Sequence, residues 1–288
     1  MTSTQGNAHS VNAHSARDDL REQVGPHLAA RSFIGCQKRR NEDYGTVAEL
    51  IVDGTTYSIL VVTDGVSTSG RPDEAAELAC IAGRDAILAQ LGAGNKLLQD
   101  CLKAGVNAAQ KAVLSLPTVG ISTNGRGRKR PPQAAFIAAI AGAGKAALVW
   151  LGDCRAYLLP RGGGARLLTR DHSWINLLVE TEGISVLEAM QRRQAHWITR
   201  CLGRVKSGSS IEPSYATADL NPGKLLMLCS DGFWNYGHPR QDQRATPLLD
   251  QMHALPADAD AATIASRLVD FACESGGHDN ITVAALKL

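Results

Sequence analysis

TVAELIVDGTTYSILVVTDG, residues 46–65, is the stretch on which the fold turns. Two apolar runs, 46–52 and 57–62, flank an Asp-Gly step at 53–54, and that arrangement predicts a β-hairpin. Thr63 and Asp64 follow the second run, with Gly65 behind them. A loop from Asp64 to Arg71 leads to Pro72, a residue suited to the first turn of a helix. Beyond it Ala75, Leu78, Ala79, Ala82 and Ala86 recur at helical spacing and predict an amphipathic helix over 73–91. Leu98, Cys101, Leu102, Gly105, Ala109, Ala112 and Val113 predict a second helix over about 95–114.

Working outward, 117–133 breaks the pattern and reads as a solvated loop, with Arg126, Arg128, Lys129 and Arg130 and no acid to offset them. Strand-like runs follow at 134–141, 146–151 and 155–159, then a charge-rich helical region at 173–200, where Ser185 and Glu188 form a capping box. A buried strand is expected at 225–229, a helix at 261–275 and a closing strand at 281–288. Strands, two helices and strands again argue α+β architecture over a single domain, 31–288. Residues 1–30 are polar, lack periodicity and read as a poorly ordered tail.

Composition sets the outer bounds. The 288 residues are 44% hydrophobic, enough for a sizeable core. Thirty Lys and Arg against 28 Asp and Glu leave a net charge of +2, which exerts no general pull toward nucleic acid. No apolar run reaches the roughly 18–20 residues of a membrane span, and no apolar leader opens the chain. Cysteines at 36, 80, 101, 154, 201, 229 and 273 contain no CxxC pair. They read as small buried hydrophobes of a reducing cytoplasm, not as a disulfide framework or a zinc site.

The chemistry lies in the placement of the acids. Asp64 ends one apolar run and Asp231 ends another, each with glycine next in line. Glycine there is expected to let the backbone turn sharply and a ligand come close. Asp153 follows ALVWLG, Asp279 precedes the closing strand, and Glu42-Asp43 stands ahead of the hairpin. Each has an ordinary explanation alone, as turn chemistry or a solvated pair. If they converge, their like charges need a cation, and all-oxygen donors suit Mg²⁺ or Mn²⁺. No Walker A loop, GxSxG elbow or HExxH is present.

Taken in order, these motifs resemble those of the PP2C (PPM) family of metal-dependent serine/threonine phosphatases. The likeness is carried by Lys38-Arg39-Arg40-Asn41-Glu42-Asp43, Val62-Thr63-Asp64-Gly65, Gly152-Asp153-Cys154-Arg155, Leu168-Thr169-Arg170-Asp171-His172-Ser173, Ser230-Asp231-Gly232 and Gly277-His278-Asp279-Asn280. It implies a four-layer α-β-β-α sandwich, two antiparallel sheets flanked by helices, with the site at one end and a flap subdomain at about 173–200. It implies two Mg²⁺ or Mn²⁺ ions: Asp64 bridging them, the Gly65 carbonyl on one, Asp231 and Asp279 completing the pair, Glu42 on the second directly or through water, and Asp43 supporting it. Asp153 with Asp231 matches a third ion site, and Asn280 would orient Asp279.

The implied reaction is attack of a metal-bridged hydroxide on phosphoserine or phosphothreonine, without a covalent enzyme intermediate. The implied setting is a bacterial cytoplasmic monomer acting on phosphoproteins opposite a Ser/Thr kinase, with no membrane or nucleic-acid partner.

Departures from the pattern are local. Lys38, with Arg39 beside it, stands where the family's phosphate-binding arginine is usual, and lysine binds phosphate as a point charge without the bidentate fork. Val66 stands where eukaryotic members place a histidine, and Val66 to Gly70 replaces the usual bacterial loop. Cys154 takes the place of a serine and reads as an inert buried thiol. Trp174, His196 and Trp197 read as flap packing. A regulatory pseudophosphatase is the alternative these departures raise. A two-metal nuclease has only the basic loop in its favour.

Overall fold

The computed structural model describes residues 17–121, 128–159, 164–195, 197–203, 211–237, 247–256 and 258–288. The described chain opens with β1 (Asp19–Val24) and β2 (Leu28–Phe33), which pair antiparallel. This corrects the expectation of a tail over residues 1–30: the part from Asp19 is sheet, and residues 1–16 lie outside the described residues. Leu28, Ala29 and Ala30 are buried because β2 lies between β1 and a strand some 250 residues later, a partner no local pattern reveals.

The hairpin follows as β3 (Asp43–Val52) and β4 (Thr55–Gly65), with Val52 opposite Thr55 across a two-residue turn. Asp53 and Gly54 both have positive φ, 50° and 75°, as a type I′ turn requires. Helices α1 (Pro72–Gly92) and α2 (Leu98–Ser115) come next, close to their expected bounds. The loop expected at 117–133 contains a short ladder, β5 (Val119–Ile121) with β6 (Arg128–Arg130); Arg126 lies outside the described residues.

Strands β7 (Ala134–Gly142), β8 (Lys145–Leu151), β9 (Arg155–Leu159) and β10 (Arg166–Leu167) lead to α3 (Trp174–Glu182) and α4 (Val186–Met190). Helix thus fills only part of the region expected over 173–200. Ser173 and Ser185 cap the two helices, accepting from Asn176 and Glu188 N–H at 3.3 and 3.2 Å. The remainder is β11 (Ser214–Asp219), β12 (Leu225–Cys229), α5 (Asp231–Gly237), α6 (Pro247–His253), α7 (Ala261–Glu274) and β13 (Ile281–Lys287).

Two antiparallel sheets result, six strands in the order β1-β2-β13-β12-β9-β10 and five in the order β11-β8-β7-β4-β3. Their inner faces meet in one core, where Leu60 and Val62 of β4 join Leu228 of β12 and Ala284 of β13. The alternate residues of β4, Ile59 and Val61, face α1 and α2 together with Ile87, Leu102 and Val106. A strand buried on both faces reads as a continuous apolar run, which is why SILVV shows no alternation. On the other side Met227, Val283 and Ala285 pack against Ile264, Leu268 and Val269 of α7. The layers are therefore helix, sheet, sheet and helix.

One expectation about cysteines is corrected. Cys36 and Cys273 form a disulfide across 237 residues of sequence, with Cα atoms 6.2 Å apart. Cys36 sits in an exposed loop and not in an apolar run, and the β2–β3 connection meets the last turn of α7 where the two come together. Cys80, Cys101, Cys154, Cys201 and Cys229 are buried, as expected.

Candidate active site

Strand ends bring the acids to one end of the sandwich. Asp43 at the start of β3 pairs in register with Asp64 at the end of β4. Asp153 lies in the β8–β9 turn, Asp231 opens α5 directly after β12, and Asp279 stands in the loop before β13. The two sheets run antiparallel ladders through Val62, Leu151, Cys229 and Ile281, so the carboxylates that follow or precede those residues share one rim.

Gly65 and Gly232 are not the sharp turns expected of them. A Cβ on Gly65 would lie 2.2 Å from the Pro72 carbonyl oxygen, and one on Gly232 would lie 1.9 Å from that of Asn280. Glycine is needed at both because another backbone passes against it.

The rim is stitched by backbone and amide bonds. Gly65 N–H donates to the Glu42 carbonyl at 2.9 Å. Glu42 N–H donates to Asn280 Oδ1 at 2.9 Å, and Asn280 Nδ2 donates to the carbonyls of Ile34 and Arg40 at 2.7 and 3.0 Å. Asn280 therefore holds the 34–42 segment against the loop that carries Asp279.

The carboxylates differ in setting. Asp64, Asp153, Asp231 and Asp279 are half-buried at the mouth, whereas Asp43 is 1% exposed. Asp43 lies below them, and Thr282 Oγ1 donates to its Oδ2 at 2.8 Å. Burial pushes the Asp64 carboxyl well above the usual carboxylate range, and the charges of Asp43, Asp231, Asp153 and Asp279 push it further. Asp153 is raised by burial and then by Asp231 and Asp171. Asp231 is raised by burial and by Asp279, against the opposing effect of a hydrogen bond from Asp64 and the Lys38 charge. Asp43 is raised by burial, with Ser230 and Thr282 hydroxyls opposing.

Basic side chains answer this charge. Lys38 Nζ lies 2.5 Å from Asp279 Oδ1. Burial alone would lower its pKa, but the hydrogen bond to Asp279 and the charges of Glu42 and Asp64 hold it above the ordinary lysine value. Arg39 is exposed at the same edge. Arg40 donates to Glu42 Oε1 at 2.7 Å and pairs with Asp73 at 3.3 Å, while Ser67 Oγ donates to Glu42 Oε2 at 2.6 Å. The sequence alone assigned no role to Arg40, which is continuous with the Lys38-Arg39 pair, or to Ser67, which lies in the altered loop from Val66 to Gly70.

A second set of residues, to which the sequence motifs assigned no role, braces Asp153. Trp234 Nε1 donates to the Asp153 carbonyl at 2.9 Å, and the Arg155 guanidinium lies 3.6 Å from the Trp234 ring centre. Arg155 binds Asp171 through two nitrogens, at 2.9 and 2.6 Å. His172 N–H donates to the Gly152 carbonyl at 2.8 Å, and Gly152 N–H donates to His172 Nδ1 at 3.1 Å. Burial pulls the His172 pKa down to about 4, so Nδ1 stays free to accept. Cys154 is wholly enclosed and its thiol is pushed far up by burial, an inert group as expected. In the region after β10, Trp174 N–H donates to the Trp197 carbonyl at 2.7 Å; His196 lies outside the described residues.

Among the described residues no three carboxylate, imidazole or thiolate groups already stand arranged around an ion. The donor chemistry nonetheless fits a hard divalent cation. It is all oxygen and self-repelling, and the Lys38 ammonium beside Asp279 marks the same demand for positive charge.

The sequence model of the protein phosphatase 2C family matches residues 37–271. The serine/threonine protein phosphatase PstP of Mycobacterium tuberculosis is 29% identical over 262 residues, covering 88% of this chain and 43% of PstP, so the chain spans under half of that relative's length. The serine/threonine phosphatase stp of Listeria welshimeri is 28% identical over 263 residues, covering 89% of this chain and 94% of the relative. A crystal structure of the PstP catalytic domain in complex with two manganese ions superimposes with a TM-score of 0.63 at 26% identity, covering 90% of this chain and 96% of that one. With its acidic rim, its four layers and this match over most of its length, the chain belongs to the protein phosphatase 2C family.

Proposed function

We propose that the protein is a phosphoprotein phosphatase that hydrolyses phosphoserine and phosphothreonine with Mg²⁺ or Mn²⁺ bound at the acidic rim. The observation that carries this reading is the gathering of Asp64, Asp153, Asp231 and Asp279 at one mouth with Lys38 among them. Asp64, Asp231, Asp279 and the Gly65 carbonyl would hold two cations, Glu42 would reach the second directly or through water, and Asp153 with Asp231 would hold a third. The bound ions would supply an activated water and neutralise charge on the phosphoryl oxygens.

This chain's own residues do the rest. Asp43 and Asn280 keep the rim in place from below. Lys38 and Arg39 offer positive charge to the phosphate, and Arg40 holds Glu42. A pseudophosphatase, which would lose acidic positions, has no support in a rim this complete. The substrate is a phosphoprotein, and the natural counterpart is a Ser/Thr kinase of the same cell, with the phosphatase a cytoplasmic monomer. Among the described residues no helix is long and apolar enough to cross a membrane.

The test is turnover of p-nitrophenyl phosphate and a phosphothreonine peptide with Mn²⁺, with EDTA and with Asp231→Asn. Turnover that needs Mn²⁺ and falls at least ~10²-fold in the variant supports the reading. No turnover by folded wild-type protein at any Mn²⁺ concentration sinks it.

A further inference from the structure

The Cys36–Cys273 bridge ties the loop that carries Lys38 to the last turn of α7, just ahead of the loop that carries Asp279. Cys36 lies two residues before Lys38, and Cys273 lies in the last turn of the helix whose following loop carries Asp279. The same loops meet in shorter contacts. Cys36 N–H donates to the Gly277 carbonyl at 2.9 Å, and a Cβ on Gly277 would lie 2.7 Å from Cys36 Sγ. A Cβ on Gly35 would lie 2.1 Å from the Asp279 carbonyl oxygen. The bridge is therefore the covalent member of a seam that sets where Lys38 stands relative to Asp279. Cys36 is exposed, whereas the other five cysteines are buried, so a reagent in solution meets this pair first.

From these positions we infer that Cys36 and Cys273 form a thiol–disulfide exchange site that tunes phosphate binding by Lys38, an inference resting on the phosphatase reading of the rim. The co-reactant is a small thiol or a dithiol protein. A thiolate of the co-reactant attacks Cys36 Sγ and displaces Cys273 as its thiolate. A second thiolate attacks the mixed disulfide, freeing Cys36 and leaving the co-reactant as its own disulfide. Two electrons pass to the protein, and two protons from solvent complete the thiols. Oxidation by a small disulfide is the reverse. In the bridged form Lys38 is pre-positioned. In the dithiol form the hydrogen-bonded seam keeps the fold, while the Lys38 loop gains freedom and phosphate binding weakens.

The test prepares the full-length protein bridged and reduced, the state of each verified by the Cys36–Cys273 linked peptide in a non-reducing digest. Two readouts are taken with Mn²⁺ present: KM and kcat for a phosphothreonine peptide, and calorimetric affinity for inorganic phosphate. The expected result is a KM increase and a phosphate affinity loss of about tenfold on reduction, with kcat nearly unchanged and the bridged values restored by a small disulfide. Cys36→Ser and, separately, Cys273→Ala are expected to behave as reduced wild type under either condition. Equal KM and phosphate affinity in the two wild-type states, or no linked peptide after oxidation, overturns the inference. If neither state turns over, the phosphatase reading has failed, and the phosphate affinities still decide this one.

Discussion

Lys38 Nζ rests 2.5 Å from Asp279 Oδ1, so a lysine occupies the mouth of the acidic rim with a rim carboxylate as its partner. The pair places the Lys38 ammonium among the rim carboxylates, at the mouth where the proposed function puts the substrate phosphate. Lys38→Ala is expected to raise KM for a phosphothreonine peptide by about tenfold or more, because a charge-assisted hydrogen bond is worth about 1.5–3 kcal/mol. Lys38→Arg, which restores a bidentate fork, is expected to lower KM below wild type. Steady-state kinetics on the three proteins decides it; equal KM values would remove Lys38 from phosphate binding.

The rim carboxylates repel one another, and the metal-free protein bears that cost. Asp64→Asn is expected to abolish Mn²⁺-dependent turnover while raising the thermal midpoint of the metal-free protein at pH 8. A gain of about 1 kcal/mol corresponds to roughly 2–4 °C for a chain of this size. A lower midpoint in the variant would mean that Asp64 contributes to folding beyond its charge.

The same repulsion has a pH signature. Asp64, Asp153 and Asp231 are held above their unfolded value of about 4, so the folded metal-free protein keeps protons that the unfolded chain has released. Their contribution to stability is therefore present at low pH and declines as pH rises from about 4 through the raised values. Cations that replace those protons are expected to bind more tightly as pH rises, with proton release. Mn²⁺ titration calorimetry at pH 6 and pH 8, in two buffers of different ionisation enthalpy, measures both. Affinity independent of pH would contradict the assignment.

The brace around Asp153 has the opposite pH dependence. His172 is neutral in the fold, with a pKa of about 4 against about 6.5 unfolded, so its stabilising effect is complete above about pH 6.5 and is lost as pH falls toward 4. Protonation at Nδ1 would also remove the acceptor for Gly152 N–H. Chemical denaturation of wild type and His172→Asn between pH 4 and 7 is expected to show a shallower slope in the variant.

Arg155 and Asp171 are both nearly enclosed, with side chains 12% and 8% exposed. Arg155→Ala leaves a buried carboxylate without its partner and is expected to destabilise the fold by about 3–5 kcal/mol. The double variant Arg155→Met, Asp171→Leu is expected to recover much of that loss while still impairing the Asp153 turn. Thermal melts give the first comparison and Mn²⁺ affinity the second.

The order and type of the principal elements were legible because their physics is local. The 46–65 hairpin follows from an Asp-Gly turn between apolar runs, α1 from Pro72 and helical periodicity, and β12 from five consecutive apolar residues. The acidic positions were legible too, since an aspartate at a strand end needs only its own strand to be recognised. What the chain alone did not contain was who stands beside whom. β1 and β2 are sheet because β13 lies alongside, and Arg31, which otherwise looks like a solvated charge, is buried because Asp19 and Asp270 flank it. Even on α1 the expected apolar stripe is only partly the buried one: Leu78 is 39% exposed, while Cys80 and Ile87 turn inward toward β4 and α2.

The assignment of cations to acids was likewise beyond the sequence. Within one run of basic residues, Lys38 turns to Asp279, Arg39 to solvent and Arg40 to Glu42. Cys36 and Cys273, separated by nearly the whole chain, become neighbours only when the connection before β3 meets the end of α7 beside the rim. Periodicity and turn chemistry act over a few residues and so can be read in one dimension. Ion pairing, burial and disulfide formation depend on distance in space, and the packing of the two sheets decided them.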